Sequence, residues 1–285
     1  MRFKLIDARE AELSAERACY LLAVSPSGYY AWRRRPICKR QQDDMIYLAH
    51  IRSFFCESNG TYGSPRMTVE LQEAGIPIGR RRVARLMKDN NLQAREKRRF
   101  KCTTDSQHGY AVYPNLLRQD FTASRPNEKW GVDISYIWTR EGWLYLAIVM
   151  DFYSRRIVGW ACSNRLKKGL ALDAFDRAVA LRQPPAGLTH HSDRGSQYCS
   201  HDYHKRIKQY GMKGSMSAKG NCYDNAAVET FFKTIKSELI WRTSFATRKQ
   251  AENMIGQYID GFYNPRRRHS TLNYMSPMQF ESQTA

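Results

Sequence analysis

The 285-residue sequence has no apolar run longer than the eight residues 143–150, and none of its cysteines form a C-x-x-C pair. A membrane-spanning helix needs about 18 consecutive apolar residues, so no transmembrane span is predicted. Seven scattered cysteines favour reduced thiols over a disulfide framework or a cysteine-rich zinc site. Acidic residues precede the first short apolar stretch, which argues against a secretory signal and favours a cytoplasmic location.

The sequence is also poor in acidic residues relative to basic ones. It has 46 Lys and Arg against 27 Asp and Glu, a formal net charge of +19. Such an excess indicates a polyanionic partner, in the first place nucleic acid, with an anionic membrane as the alternative. A length of 285 residues predicts about two domains, and the 12% aromatic content excludes low-complexity disorder.

The first part of the chain has short helical patterns. A helix is predicted over 12–24, a break over 25–28 and a second helix from Tyr29. Helix, short turn and helix are typical of a helix-turn-helix unit, but a plain helical hairpin fits this pattern equally well.

A basic helix is predicted over 79–90. Val83, Leu86 and Met87 stand at i, i+3 and i+4 and form a core-facing stripe. The cations on the rest of its surface are Arg80, Arg81, Arg82, Arg85 and Lys88. These cations would repel one another without phosphates nearby, so we interpret the helix, with Arg98 and Arg99 beyond it, as a DNA contact. A solvated basic face is the alternative.

The pattern changes to strands after a polar connector over 102–125. Three short strands between 132 and 162 predict an antiparallel meander. Helices and strands then alternate up to residue 216, and two long helices are predicted over 223–239 and 247–262. This order predicts a mixed α/β sheet with helices on its faces.

Three acidic residues stand where strands and helices converge. Asp133 lies inside an apolar strand, Asp193 directly follows another strand, and Glu229 is on a helix. A neighbouring face of that helix carries Asn225 and Lys236. Singly, each acid has a structural explanation, as a satisfied core group, a turn residue or a surface acid. Three clustered carboxylates, however, repel unless hard cations lie between them, which favours Mg²⁺ or Mn²⁺.

The spacing of these residues is similar to that of a known family. Asp193 and Glu229 are 36 positions apart, and Lys236 follows seven positions later. The pattern resembles the OrfB-type DDE transposases of two-reading-frame bacterial insertion sequences, which have a retroviral-integrase-like catalytic core. Further segments that carry the resemblance are 62–66, 133–137, 192–198, 220–232 and 263–277.

The resemblance implies a domain organisation. An RNase H-like mixed-sheet catalytic domain with a C-terminal helical tail would occupy 126–285. A helix-turn-helix-like basic DNA-binding domain would occupy 40–101, joined to it by a linker over 102–125. A short helical segment over 1–35 would precede both.

The resemblance also implies a chemistry. Asp133, Asp193 and Glu229 would hold two Mg²⁺ or Mn²⁺ ions, cleave the ends of an insertion sequence and transfer the 3′-OH strand to DNA. Lys236 would hold a phosphate near the ions, the alternative being a solvated cation. Asn225 would either anchor its helix to the sheet or hydrogen-bond a metal-bound water.

Partners are implied in the same way. The chain would act on double-stranded DNA in the nucleoid of the bacterial cytoplasm, as a homo-oligomer. It would work with, or fused to, an upstream-frame protein that carries a helix-turn-helix and a leucine zipper. Because the chain begins with Met and has no sustained apolar heptad, we expect it to be the downstream product. An RNase H-like nuclease or resolvase and a non-catalytic DNA-binding regulator are the alternatives.

Two histidine groups need separate interpretation. His201 and His204 with Cys199 lack a fourth ligand and paired cysteines, so a zinc site is not predicted. His190 and His191 precede Asp193 and are expected to fix the end of its strand, with contact to DNA or water as the alternative.

Overall fold

The computed structural model of the chain describes residues 2–8, 13–94, 112–218 and 222–283. Arg98 and Arg99 of the predicted DNA contact lie outside the described residues. No helix in these ranges is long and apolar enough to cross a bilayer.

The described part of the first half is helical, as predicted. Its helices are α1 (Arg2–Ala8), α2 (Ala15–Leu21), α3 (Pro26–Arg33), α4 (Lys39–Glu57), α5 (Ser64–Glu73) and α6 (Arg80–Asp89). The first three enclose a small separate core around Ile6, Cys19 and Tyr29. The stripe of α6, Val83 with Leu86 and Met87, is buried as expected.

The predicted break over 25–28 is wrong for most of its length. Helix α3 begins at Pro26, and the Ser25 hydroxyl accepts a hydrogen bond from the Gly28 amide at 3.3 Å. Proline suits the first position of a helix because its missing N–H has no partner there, and serine caps the free amides. Helix α1 is an addition that the sequence pattern did not predict.

The second half contains one five-stranded sheet in the order β3-β2-β1-β4-β5. Its strands are β1 (Lys129–Thr139), β2 (Gly142–Asp151), β3 (Ile157–Ser163), β4 (Thr189–Ser192) and β5 (Lys213–Met216). The first three form the predicted antiparallel meander, and β4 pairs parallel with both β1 and β5. Parallel pairing requires crossover connections, which α7 (Lys168–Arg182) and α8 (His201–Gln209) supply.

Helices cover both faces of the sheet. Apolar residues of α7 and α8 pack with Trp130, Val132 and Val149 on one face. On the other face α9 (Ala226–Glu238) and α10 (Arg248–Gly256) pack with Ile137 and Leu146, in a core that continues into α4, α5 and α6. Helices α4, α5 and α6, which we call the helical bundle, therefore share one continuous core with the sheet.

The predicted long helices are each interrupted. Residues Cys222–Asn225 form a 3₁₀ turn before α9, and α10 passes into a π-helical stretch, Gln257–Tyr263. The wider π turn buries Tyr258, Ile259, Phe262 and Tyr263 together, a tertiary preference that helical periodicity does not reveal. After 3₁₀ turns at Ile240–Arg242 and Ser270–Leu272 comes α11 (Pro277–Ser282), which lies within the C-terminal helical tail that the resemblance implies.

Gly131 sets the distance between β1 and α9. A Cβ atom at this position would lie 2.2 Å from Phe152 Cζ and 2.7 Å from Val228 Cγ2. Only glycine therefore allows α9 to approach the strand that carries Asp133.

Gly131→Ala is expected to destabilise the fold by about 2 kcal/mol or more, because neither neighbour can yield without moving packed core. Gly169→Ala in α7 is the matched control, since no atom lies within 4 Å of the added methyl group. Thermal unfolding of both variants tests this, and equal midpoints would show that the close approach is not required.

Candidate active site

Asp133 lies in β1, and Asp193 is the first residue after the adjacent parallel strand β4. The β1–β4 register pairs Gly131 with His191, and each aspartate lies two positions beyond its member of that pair. Asp133 accepts a hydrogen bond from the Ile134 amide at 2.7 Å, and Asp193 accepts one from the Gly195 amide at 2.9 Å. Because paired strands are about 4.8 Å apart, the two side chains share one end of the sheet.

Glu229 approaches the same place from α9. Its carboxylate is 3.4 Å from the Lys233 ammonium group, one turn further along the helix. Lys236, two turns after Glu229, is partly buried and lies within electrostatic range of Asp133. The fold thus brings the predicted Asp133, Asp193, Glu229 and Lys236 into one neighbourhood.

The electrostatics of this neighbourhood are unfavourable without a cation. Burial raises the pKa of Asp133 well above its usual value, and repulsion from Asp193 and then Glu229 raises it further. The charge of Lys236 acts in the opposite direction, although burial lowers the pKa of Lys236 itself. The site therefore stores repulsion between carboxylates that added positive charge would relieve.

The carboxylates are not gathered into a coordination sphere. Across the described ranges, no group of three or more His, Cys, Asp and Glu side chains lies close enough to hold a metal ion. The contact between Glu229 and Lys233 gives the physical reason, because it directs the glutamate along its own helix. The donor set itself, three carboxylates with shared repulsion, suits a hard divalent cation.

Asn225 anchors the start of α9 to β1. Its side-chain amide donates to the Val132 carbonyl at 3.2 Å, next to Asp133, which supports the first of its two predicted roles. Its buried side-chain oxygen has no hydrogen-bond partner among the residues described. An orphaned acceptor at this position also suits a bound water, so the second role stays a prediction.

Asp224 lies in the 3₁₀ turn that precedes α9. The carboxylate is buried and accepts hydrogen bonds from the Ala218 amide at 2.8 Å and the Asn115 side chain at 2.9 Å. Asp224 therefore connects the 3₁₀ turn before α9 to Ala218, two residues beyond the end of β5.

His190 and His191 fix the end of β4, as expected. His190 Nε2 is 3.1 Å from the Tyr203 hydroxyl, and His191 Nδ1 is 2.9 Å from the Ser215 hydroxyl. Burial lowers the pKa of His190 to about 3 and that of His191 to about 4, so both rings are neutral at physiological pH. Both rings form buried contacts that hold in place β4, the strand that Asp193 follows.

Cys199, His201 and His204 have separate surroundings. Cys199 packs against Met216, with the sulfur atoms 3.8 Å apart, and the His204 ring lies 4.4 Å from the Tyr113 ring. His201 is almost fully exposed.

Tyr198 is a nearby residue that sequence reasoning missed. Its buried hydroxyl has no hydrogen-bond partner within the described part of the chain. Burial raises the pKa of Tyr198 well above its usual value, and the charges of Asp133 and Asp193 contribute. The signal was present, since Tyr198 lies in the segment that follows Asp193, but an aromatic residue there is equally typical of core.

The cations of α6 divide into two groups, which corrects the argument from repulsion. Asp44 of α4 binds Arg82 Nε at 2.7 Å and an Arg85 terminal nitrogen at 2.6 Å, and Asp89 lies 3.4 Å from Arg85, so both arginines have acidic partners within the protein. Arg80, Arg81 and Lys88 are exposed. Phosphate is therefore not needed to explain Arg82 and Arg85.

Comparison with known families adds an independent line of information. Residues 123–222 and 210–277 match two integrase core domain families, and residues 41–100 match an HTH-like domain. The 31 kDa protein of insertion element IS600 from Shigella sonnei is 46% identical over 92% of this chain and 96% of its own length. Transposase InsF of IS3A from Escherichia coli is 43% identical over 99% of both chains.

Solved structures give a weaker match. The HTLV-2 integrase catalytic core domain in complex with magnesium is 17% identical, with a TM-score of 0.44 over 55% of this chain and 98% of that one. A simian T-cell lymphotropic virus intasome complex matches with a TM-score of 0.47 at 13% identity, over 77% and 70% of the two chains.

Asp133→Asn is expected to raise the thermal midpoint in metal-free buffer, because it removes one of the repelling charges and keeps the side-chain shape. A rise of roughly 3 °C corresponds to about 1 kcal/mol in a chain of this size. Asp173→Asn, which removes an exposed charge of α7, is the control and should leave the midpoint unchanged. A lower midpoint for Asp133→Asn would contradict the stored repulsion.

Proposed function

This chain belongs to the InsF-type transposases of bacterial insertion sequences, and we propose that Asp133, Asp193 and Glu229 are its catalytic carboxylates. The enzyme is a polynucleotidyl transferase that acts on DNA, and identity over nearly its full length separates it from a resolvase or a regulator. The observation that carries the residue assignment is the register that sets Asp133 level with Asp193, with Glu229 approaching from α9.

The chain's own residues have defined tasks in this proposal. Two divalent ions such as Mg²⁺, held by the three carboxylates, would activate the attacking oxygen and stabilise the leaving oxygen at the scissile phosphate. To take part, the Glu229 side chain must leave its contact with Lys233 and rotate toward the two aspartates, while α9 stays in place. Gly131 and Asn225 hold α9 close to β1, the strand that carries Asp133.

Lys236 is assigned to the substrate. It is partly buried beside Asp133, where a phosphate of the DNA strand would come within reach of its ammonium group. An ammonium group is a point charge that can hold a phosphate without fixing its orientation.

Duplex DNA is held, in this proposal, by the exposed cations of α6. Arg80, Arg81 and Lys88 contact backbone phosphates, while Arg82 and Arg85 fix α6 to α4 through Asp44. The domain bounds 40–101 and 126–285, joined by 102–125 and preceded by 1–35, belong to the same proposal. The proposal also includes assembly into a homo-oligomer on DNA, an upstream-frame partner and a location at the nucleoid in the cytoplasm.

Asp193→Asn should reduce metal-dependent nicking of plasmid carrying the element's ends to background, and strand joining with it. DNA affinity should stay within about twofold, because only the metal-dependent chemistry is lost. Asp173→Asn serves again as the control and should nick normally. Retained nicking by Asp193→Asn would remove this residue from the site.

Replacing Arg80, Arg81 and Lys88 by Gln should weaken binding to all DNA sequences. The slope of log K against log salt should shrink by nearly three, from about 0.9 for each phosphate contact. The double variant Arg82→Gln and Arg85→Gln is the matched comparison, which should lower the thermal midpoint and leave the slope nearly unchanged. The reverse outcome would assign the phosphate contacts to Arg82 and Arg85.

A further inference from the structure

A cavity of about 360 Å³ lies against α9, and none of the three candidate catalytic carboxylates lines it. Arg66 of α5, Arg155 of the β2–β3 turn and Arg267 near the C-terminus line it, with the hydroxyls of Thr230 and Ser270. We call it the arginine cavity. The helical bundle, the sheet and the C-terminal segment (residues 263–282) all contribute to its wall.

Two sequence segments that carried the family resemblance meet beside this cavity. The Tyr62 hydroxyl accepts a hydrogen bond from the Arg268 amide at 2.9 Å and donates one to the Arg266 carbonyl at 3.2 Å. Segment 62–66 and the start of the C-terminal segment, about 200 positions apart, therefore form one structural unit. The proposed catalytic chemistry uses neither of them.

One cavity arginine is already neutralised. Arg267 binds both carboxylate oxygens of Glu238, at 2.8 Å from Nε and 2.6 Å from a terminal nitrogen. The Tyr258 hydroxyl donates to the same carboxylate at 2.6 Å. Glu238 is thereby fully engaged and cannot also compensate the other cavity arginines by direct contact.

Arg66 and Arg155 are different. Both are partly buried, and across the described ranges neither forms a salt bridge or a hydrogen bond. Burial lowers the pKa of both, and the Arg267 charge lowers that of Arg66 further. No carboxylate of the described residues contacts either side chain, although the Glu238 charge acts on Arg66 from a distance. Three arginines around one cavity are therefore an unfavourable arrangement that an entering anion would relieve.

One further feature favours an anion. Ala226 and Ala227, in the first turn of the thirteen-residue helix α9, also line the cavity. The first turn of a helix presents amide hydrogens and the positive end of its dipole.

We propose that the arginine cavity binds a phosphate group through Arg66 and Arg155. Two guanidinium groups match the charge and the oxygen geometry of phosphate, and the volume is within the range of small-ligand pockets. The phosphate comes either from the backbone of bound DNA, a form that rests on the proposed function, or from a free phosphate compound. In either form, its binding links the helical bundle to α9, the helix that carries Glu229.

The first experiment measures thermal unfolding without metal, in inorganic phosphate and in chloride at equal ionic strength. Phosphate at about one hundred times its dissociation constant should raise the midpoint of the unchanged protein by roughly 8 °C. Arg66→Gln and Arg155→Gln should lose this rise with little change of the midpoint in chloride. In the part of the chain that the structure describes, neither side chain gives up a salt bridge or hydrogen bond, and Arg66 gives up only a contact 5.8 Å from the centre of the Tyr62 ring. Arg177→Gln is the control, because Arg177 lines a different cavity beside Trp160, and it should retain the rise.

A second experiment identifies the source of the phosphate. If it is the DNA backbone, Arg66→Gln and Arg155→Gln should each reduce the salt slope of duplex binding by about 0.9. If it is a free phosphate compound, the slope stays unchanged while the phosphate-specific rise in midpoint is lost. Equal midpoints in phosphate and chloride, or an equal rise in all variants, would overturn the proposal. Nicking by the Asp193 variant tests the proposed function separately.

Discussion

Repulsion between carboxylates is the constraint on which the rest of this structure depends. Asp133 stands in the middle strand of the sheet, and its pKa is raised first by burial and then by the charges of Asp193 and Glu229. These carboxylates would move apart unless other interactions held together the strands and the helix that carry them. Three such interactions are the parallel pairing of β1 with β4, the close approach of α9 that Gly131 allows, and the Asn225 hydrogen bond to Val132.

The C-terminal segment closes the structure through ion pairs rather than through apolar packing alone. Glu281 accepts from Ser154 at 2.6 Å and binds Arg156 at 2.7 Å and Arg182 at 2.6 Å. Arg268 binds Glu70 and Glu73 of α5, and the Asn264 side chain forms two hydrogen bonds of 2.9 Å with the Ile157 backbone. Removing one partner of a buried pair leaves an uncompensated charge, so this closure has high specificity for its own sequence.

Positive charge consequently has three distinct uses in a chain with a net charge of +19. Arg82, Arg85, Arg267 and Arg268 bind acidic residues and hold elements together. Arg80, Arg81 and Lys88 are exposed on α6. Arg66 and Arg155 face a cavity with no acidic partner among the described residues. Composition counts all of these equally, and only their surroundings distinguish them.

The sequence alone determined the local features of the fold. Alternating and continuous apolar runs predicted the meander, the i, i+3, i+4 stripe predicted the buried face of α6, and the spacing of Asp193, Glu229 and Lys236 indicated the family. These features depend on neighbours along the chain. Tertiary structure alone decided which arginines have acidic partners, that Gly131 must lack a side chain, and that segment 62–66 meets the C-terminal segment. Those outcomes depend on pairs such as Asp44 with Arg82, and Tyr62 with Arg268, which are distant in sequence and become neighbours only when the core closes.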